Sequence, residues 1–213
     1  MSTLKDFERV LNKKERRVFL NLNSPIKIQG FIDRTRYYAE DLYYSPLTVL
    51  RERKACCLEG ALFAATALRK IGHPPLIVSL NAENDDDHIL AIYKRNGFFG
   101  AIAKSNFVGL RFREPVYRTL RELSMTYFES YYNLDGKKTL RSYTVPLNLK
   151  PFDKIDWMIS DDNLEVIADR LDTIRKVSML TPRMIRRLSP VDKRFYKAGM
   201  LGADTKEIYK PRR

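Results

Sequence analysis

The sequence predicts an α+β protein in which a helix that begins with two adjacent cysteines packs on an antiparallel sheet, with further helices at both ends. Three observations predict it. Helical signals fill residues 4–54, short apolar runs separated by turn residues occupy 76–103, and helical periodicity returns after residue 116. Helices at both ends, with the strands collected between them, are typical of the α+β class.

The N-terminal segment, residues 4–54, carries two helix-start signals. Ser24 precedes Pro25 and Ser45 precedes Pro46, and in each pair a capping side chain stands before a proline that suits the first helical turn. Apolar residues follow each signal at helical spacing. The segment is therefore predicted to be helical.

The next segment, residues 57–71, reads as a buried helix because it is rich in Ala and Leu. Its apolar stripe consists of Leu58, Ala61, Leu62, Ala65 and Leu68. Gly72 and the prolines that follow it end the helix. Three antiparallel strands are predicted next, at 76–80, 88–93 and 98–103, and an acidic turn at 81–87 joins the first two.

The C-terminal part is predicted to return mostly to helix. Spacing predicts a helix over 116–132, a strand over 139–145, and a helix that Asp161 and Asp162 cap. A further short helix starts after Thr181. The expected division is a domain at 1–150, which includes the N-terminal helices, and a basic helical extension at 151–213, packed on the domain or trailing from it.

Charge is distributed unevenly along the chain. The 213 residues include 39 Lys and Arg against 26 Asp and Glu, a net charge of +13, and residues 183–213 hold ten of the basic and three of the acidic residues. This basic segment could bind a polyanion weakly, with strong salt dependence. A solvated basic surface is the favoured interpretation, because no nucleic-acid recognition motif accompanies the charge.

Several function classes are excluded or disfavoured by composition. No apolar run approaches the roughly 18 residues that a membrane span needs, and the N-terminus is charged rather than signal-like. We therefore expect a soluble cytoplasmic protein with reduced thiols and no membrane partner. With two Cys and two His, neither a metal site nor a cofactor is expected.

Cys57 and His88 form the candidate catalytic pair. Cys57 stands at the start of the predicted buried helix, where free backbone N–H groups and the positive end of the helix dipole favour a thiolate. His88 opens a strand about thirty residues later. A histidine beside a cysteine activates the sulfur as a nucleophile. Taken singly, a packed core cysteine and a solvated histidine are the commoner interpretations.

This region resembles the transglutaminase-like superfamily of papain-like cysteine folds, over residues 53–107. The residues that carry the resemblance are Cys57, Ala61, Ala64, Ala67, Leu68 and Arg69 on the helix, Gly72, His73 and Pro74 at its end, and His88 to Tyr93 on the strand. Residues 100–107 and 114–118 also resemble a group of bacterial transglutaminase-like proteins. The resemblance implies a papain-like core and acyl-transfer chemistry through a thioester, on a peptide, protein or small amide or thioester substrate. Its register selects Cys57 as the nucleophile and leaves Cys56 to packing.

The third catalytic position departs from the superfamily pattern. The superfamily places an Asp on the strand after the histidine, whereas residues 103–106 of this chain contain no acid. Asn106 is the candidate to orient the His88 imidazole, with Ser105 as the substitute, since either can accept an imidazole N–H. Three alternatives stay open: hydrolysis, transfer to another acceptor, or a catalytically inactive scaffold that keeps the fold and works through its basic surface.

Overall fold

The protein is described by a computed structural model that covers residues 3–38 and 42–208. Within these residues, the α-helices are α1 (Leu4–Val10), α2 (Lys13–Asn21), α3 (Pro25–Asp33), α4 (Pro46–Glu52), α5 (Cys57–Lys70), α6 (Leu120–Met125), α7 (Glu165–Thr173), α8 (Pro182–Ile185) and α9 (Lys193–Gly199). None of the helices in this described part is long and apolar enough to cross a membrane.

The strands form one large sheet and a small parallel pair. They are β1 (Arg36–Tyr37), β2 (Lys54–Ala55), β3 (Leu76–Ala82), β4 (His88–Arg95), β5 (Phe98–Ile102), β6 (Arg113–Tyr117), β7 (Leu140–Thr144), β8 (Leu147–Asn148) and β9 (Lys176–Ser178). The large sheet has the order β6-β5-β4-β3-β7-β9, with β8 also pairing β3, and all of its pairings are antiparallel. The predicted α+β class is confirmed.

Alternating side chains divide the sheet into two packed faces. Ile77 and Ile89 lie on the face that α5 and the N-terminal helices cover, whereas Val78 and Leu90 lie on the opposite face beside Leu123. This alternation is what the pleat of a strand requires when both faces are buried. The cysteine-bearing helix therefore packs on the antiparallel sheet, chiefly against β4.

The predicted helix over residues 116–132 begins later than expected. Residues 113–117 instead form β6 at one edge of the sheet, and α6 starts only after Thr119, whose side chain accepts a hydrogen bond from the Glu122 backbone N–H at 3.0 Å. Pro115 has no backbone N–H to donate, and an edge strand tolerates this loss. Tertiary pairing with β5 thus prevails over the helical spacing of the apolar residues.

Residues beyond 150, expected as an extension that packs on the domain or trails from it, pack against the preceding part of the chain. Trp157, Met158 and Leu164 belong to the same core cluster as the N-terminal helices, and β9 extends the main sheet. The last described part is more exposed, and no side chain over 181–208 is buried. The basic run at 210–213 lies outside the described residues.

Asp153 links the part of the chain beyond residue 150 to α5. Its carboxylate accepts two hydrogen bonds from the Arg69 guanidinium, both at 2.8 Å, and a third from Trp157 Nε1 at 3.0 Å. The Arg69 and Asp153 side chains are only 17% and 11% exposed. Removing this acceptor would leave a mostly buried cation and an indole N–H without partners.

We expect Asp153→Ala to lower the free energy of unfolding by about 3 kcal/mol, the scale for breaking a buried pair. Urea denaturation measures it. Asp135→Ala is the control: its carboxylate is 71% exposed and lies 3.6 Å from Lys137, so it should cost less than about 1 kcal/mol. Similar small losses for both variants would show that residues beyond 150 are not integral to the core.

Candidate active site

The first turn of α5 is fixed by its own side chains. The helix begins at Cys57, with Cys56 as the capping residue, and the Glu59 carboxylate accepts a hydrogen bond from the Cys56 backbone N–H at 2.5 Å. Glu59 is 2% exposed, and burial raises its pKa to about 7. A glutamate three residues into a helix commonly closes the first turn in this way.

The Cys57 sulfur lies where α5 meets the start of β4, 3.7 Å from the Asp87 carbonyl oxygen. The pKa of Cys57 is held well below its usual range, first by a hydrogen bond from the Cys56 thiol. Burial opposes this shift, while the His88 imidazole and the Ile89 backbone N–H add to it. The helix N-terminus favours the same charged form.

Cys56 behaves in the opposite way. Its pKa is raised well above the usual range, first by its hydrogen bond to Cys57 and then by burial. Of the two thiols, Cys56 therefore keeps its proton and donates it towards the Cys57 thiolate. Cys56 packs against the core, as expected from sequence, and its thiol is also part of the electrostatic surroundings of the sulfur.

The His88 imidazole is held by a backbone carbonyl. His88 is 5% exposed, and its Nε2 lies 2.8 Å from the Leu110 carbonyl oxygen. Since a carbonyl can only accept, Nε2 carries the hydrogen of the neutral ring. Nδ1 is then the ring nitrogen left to exchange a proton with a reacting group.

The loop that presents this carbonyl is itself held by two side chains. Arg113 donates to the carbonyls of Gly109 at 2.8 Å and of Phe112 at 3.0 Å, and the Tyr127 hydroxyl donates to the carbonyl of Arg111 at 2.9 Å. The Arg113 guanidinium also stacks 3.9 Å above the Tyr127 ring. Carbonyls on both sides of Leu110 are thus fixed.

Asn106 and Ser105 do not have the positions expected of them. The Asn106 amide donates to the Asp204 carbonyl at 2.9 Å and accepts from the Asp204 N–H at 2.8 Å, while Ser105 Oγ accepts from the Phe107 N–H at 2.9 Å. The acceptor at His88 Nε2 is Leu110 instead. The physical reason is that β5 ends at Ile102, so the strand register on which the expectation depended does not extend to residues 105 and 106.

The acidic turn before β4 contributes carboxylates to the wall of a cavity that Cys57 and His88 also line. The Asp87 carboxylate accepts from the Asn81 side chain at 2.5 Å and from the Ala82 N–H at 2.8 Å. Burial, followed by the nearby Cys57, raises the pKa of Asp86 to about 6.

Across residues 3–38 and 42–208, no group of three or more His, Cys, Asp or Glu side chains is placed to hold a metal ion.

Cys57 and His88 line one cavity. The other described residues of its wall are Tyr37, Asp85, Asp86, Asp87, Ser105, Phe107, Leu110, Ser130, Tyr131, Tyr132, Asn133, Leu134, Tyr196, Met200, Glu207 and Ile208. A low-pKa cysteine, an oriented histidine and an adjoining cavity are what nucleophilic attack on a bound carbonyl compound requires.

Sequence reasoning missed several groups that build this site. Leu110 acts through its backbone, so no side-chain pattern signals it. Glu59 carried a signal, because a Glu three residues after a helix-capping position is typical of a closed first turn. Arg113 and Tyr127 had none, since their shared loop contacts come only from tertiary packing.

Comparison with known proteins finds likeness only to solved structures. No family model and no curated protein matches the chain. Among solved structures, Legionella pneumophila LapG is 12% identical with a TM-score of 0.43, over 74% of this chain and 96% of LapG. An EGTA-treated LapG structure gives 11% and 0.39, over 54% and 75%. The assignment of an activity therefore rests on the geometry of the site.

The rate at which iodoacetamide alkylates Cys57 should rise with pH at a midpoint well below the roughly 8.5 of an ordinary thiol. Cys56→Ala should move that midpoint upward, because the thiolate loses a hydrogen-bond donor. Cys56→Ser is the matched control, since a hydroxyl still donates and should hold the midpoint low. Mass spectrometry of the two modified cysteines measures the rates. An ordinary midpoint in the parent protein, or no effect of Cys56→Ala, would contradict this account.

Proposed function

We propose that this chain is a cysteine-dependent acyl-transfer enzyme that cleaves an amide or thioester bond of a peptide, protein or small substrate through a thioester on Cys57. The observation that supports it best is the placement of a low-pKa thiol beside an imidazole whose far nitrogen is fixed by Leu110. A packed core cysteine would have no need of that arrangement.

The first half of the reaction forms the thioester. The Cys57 thiolate attacks the substrate carbonyl carbon, and the carbonyl electron pair moves onto its oxygen. When the oxyanion collapses, the bond to the leaving nitrogen or sulfur breaks. His88, protonated at Nδ1, gives its proton to the leaving group and becomes neutral, while Nε2–H stays on the Leu110 carbonyl.

The second half releases the acyl group. Neutral His88 removes a proton from water or from an acceptor amine, whose oxygen or nitrogen attacks the thioester carbonyl. The carbon–sulfur bond then breaks, and the Cys57 thiolate is restored with the imidazolium beside it. Water gives a carboxylic acid and an amine gives a new amide, so hydrolysis and transfer use the same residues.

Two kinds of donor are suited to the oxyanion. The first-turn N–H groups of α5 have no acceptor within the helix and point towards the end where Cys57 stands. Tyr37 lines the same cavity, and burial followed by the nearby cysteines raises the pKa of its phenol. The phenol therefore keeps its hydrogen for donation at neutral pH.

A second candidate function is a catalytically inactive binding or scaffold protein, and one observation favours it. The partner of His88 Nε2 is a neutral carbonyl rather than the carboxylate expected from the superfamily pattern. A carbonyl orients the ring but stabilises an imidazolium less than a carboxylate does. An enzyme and an inactive scaffold would therefore share this site geometry and would differ in whether the site turns over a substrate.

Acylation by a p-nitrophenyl ester separates the two candidates. The proposed enzyme should release one equivalent of nitrophenolate in a burst and carry the acyl group on Cys57, as intact-protein and peptide mass spectrometry would show. Cys57→Ala should abolish the burst, and His88→Gln should slow it by about 100-fold or more, the scale of lost general acid–base catalysis.

Cys56→Ser is the matched control for this test. It alters the adjacent thiol while keeping a hydrogen-bond donor, so the burst should persist. An acyl group on Cys56 or on surface lysines alone, or an equal slow rate in the parent and in Cys57→Ala, would overturn the enzyme and leave the scaffold.

A further inference from the structure

Residues 192–208, here called the C-terminal strap, form part of the cavity wall. Tyr196, Met200 and Ile208 of the strap line the same space as Cys57 and His88. The cavity that remains measures about 60 Å³, enough for a few water molecules, whereas sites for small ligands are usually about 300–1,000 Å³. The strap therefore occupies space that a substrate would need.

Asn106 attaches the strap through its backbone. Its side-chain amide donates to the Asp204 carbonyl at 2.9 Å and accepts from the Asp204 N–H at 2.8 Å. Asp204 is extended, with φ −76° and ψ 109°. Both contacts involve only the backbone of one residue, so a polypeptide of another sequence could make the same pair.

Tyr132 also contacts the strap: its ring lies 6.2 Å from that of Phe195, and its hydroxyl donates to the Phe195 and Tyr196 carbonyls at 3.5 and 3.4 Å. The Tyr132 and Tyr196 rings lie 5.4 Å apart, and the Tyr196 hydroxyl donates to the Leu134 carbonyl at 3.4 Å. No strap side chain is buried, and Leu201 is 75% exposed. Detaching the strap would thus expose little core surface, and segments of this kind open at low free-energy cost.

We propose that the C-terminal strap is an autoinhibitory segment, and that it occupies the groove of an extended polypeptide substrate which competes with it for Asn106. This inference rests on the proposed function, because it assigns a substrate class and a means of regulation to the same site. Reaction at Cys57 by a peptide then depends on the fraction of molecules in which the strap is open.

The test compares two alkylating probes on the full chain: iodoacetamide, which is small, and an acetylated trialanine chloromethyl ketone, which presents an extended backbone. Tyr196→Ala should raise the Cys57 rate with the peptide probe by about tenfold, since the open fraction limits it. The iodoacetamide rate should change by less than about twofold, since a small probe needs little opening. Met200→Ala, on another cavity-lining residue, should act in the same direction.

Lys193→Ala is the matched control, because this side chain is exposed on the same helix and does not line the cavity. It should change neither rate. In the double variant Asn106→Ala/Tyr196→Ala, the gain in the peptide-probe rate should disappear, because the peptide loses the side chain that binds its backbone. The iodoacetamide rate should not change.

The outcomes distinguish the two proposals. If iodoacetamide still labels Cys57 at low pH but neither Tyr196→Ala nor Met200→Ala speeds the peptide probe, the strap is not inhibitory and the proposed enzyme stands. If Cys57 reacts with iodoacetamide like an ordinary thiol, the proposed function fails and this inference fails with it.

Discussion

The hydrogen bond between His88 Nε2 and the Leu110 carbonyl is the contact on which the rest of the site depends. It assigns the ring hydrogen to Nε2, which leaves Nδ1 for the reacting group, and it joins the start of β4 to the loop before β6. Arg113 and Tyr127 hold that loop through its carbonyls. The imidazole is therefore oriented by the fold of the backbone rather than by a third catalytic side chain.

A carboxylate in this position would both orient the imidazole and stabilise its charged form, whereas a carbonyl mainly orients it. It fixes the tautomer and the direction of the ring, but it supplies no negative charge to an imidazolium. Part of the stabilisation of a charged pair would come from the sulfur side, where the Cys56 thiol and the N-terminus of α5 favour the thiolate. The vicinal cysteine, which looks redundant in the sequence, thereby acquires an electrostatic role.

Sequence patterns predicted the fold class because the relevant elements are strongly periodic. The apolar stripe of α5 and the strands around His88 are formed as expected, and Cys57 and His88 line one cavity. Two kinds of feature were not predictable. The edge strand around Pro115 depends on tertiary pairing with β5, which overrides its helical spacing, and the partner of His88 is a backbone atom that every residue type possesses.

The position of Asn106 shows why the third residue could not be read from the sequence. The assignment required β5 to continue as a regular strand, whereas the strand ends at Ile102 and Asn106 instead bonds to Asp204, almost a hundred residues later. A pairing of such sequence separation leaves no periodic trace. The residue is still part of the site's surroundings, as the attachment of the C-terminal strap.

The most direct test of this account is the tautomer of His88, read from the ¹⁵N shifts of its ring nitrogens by NMR at a pH where the imidazole is neutral. We expect hydrogen on Nε2 and none on Nδ1 in the parent protein. Arg113→Lys should give a mixture of the two tautomers, because its ammonium cannot reproduce the guanidinium contacts that hold the Leu110 loop. His73, the other histidine, serves as the internal reference. Hydrogen on Nδ1 of His88, or a mixture in the parent protein, would contradict the orienting role of the Leu110 carbonyl.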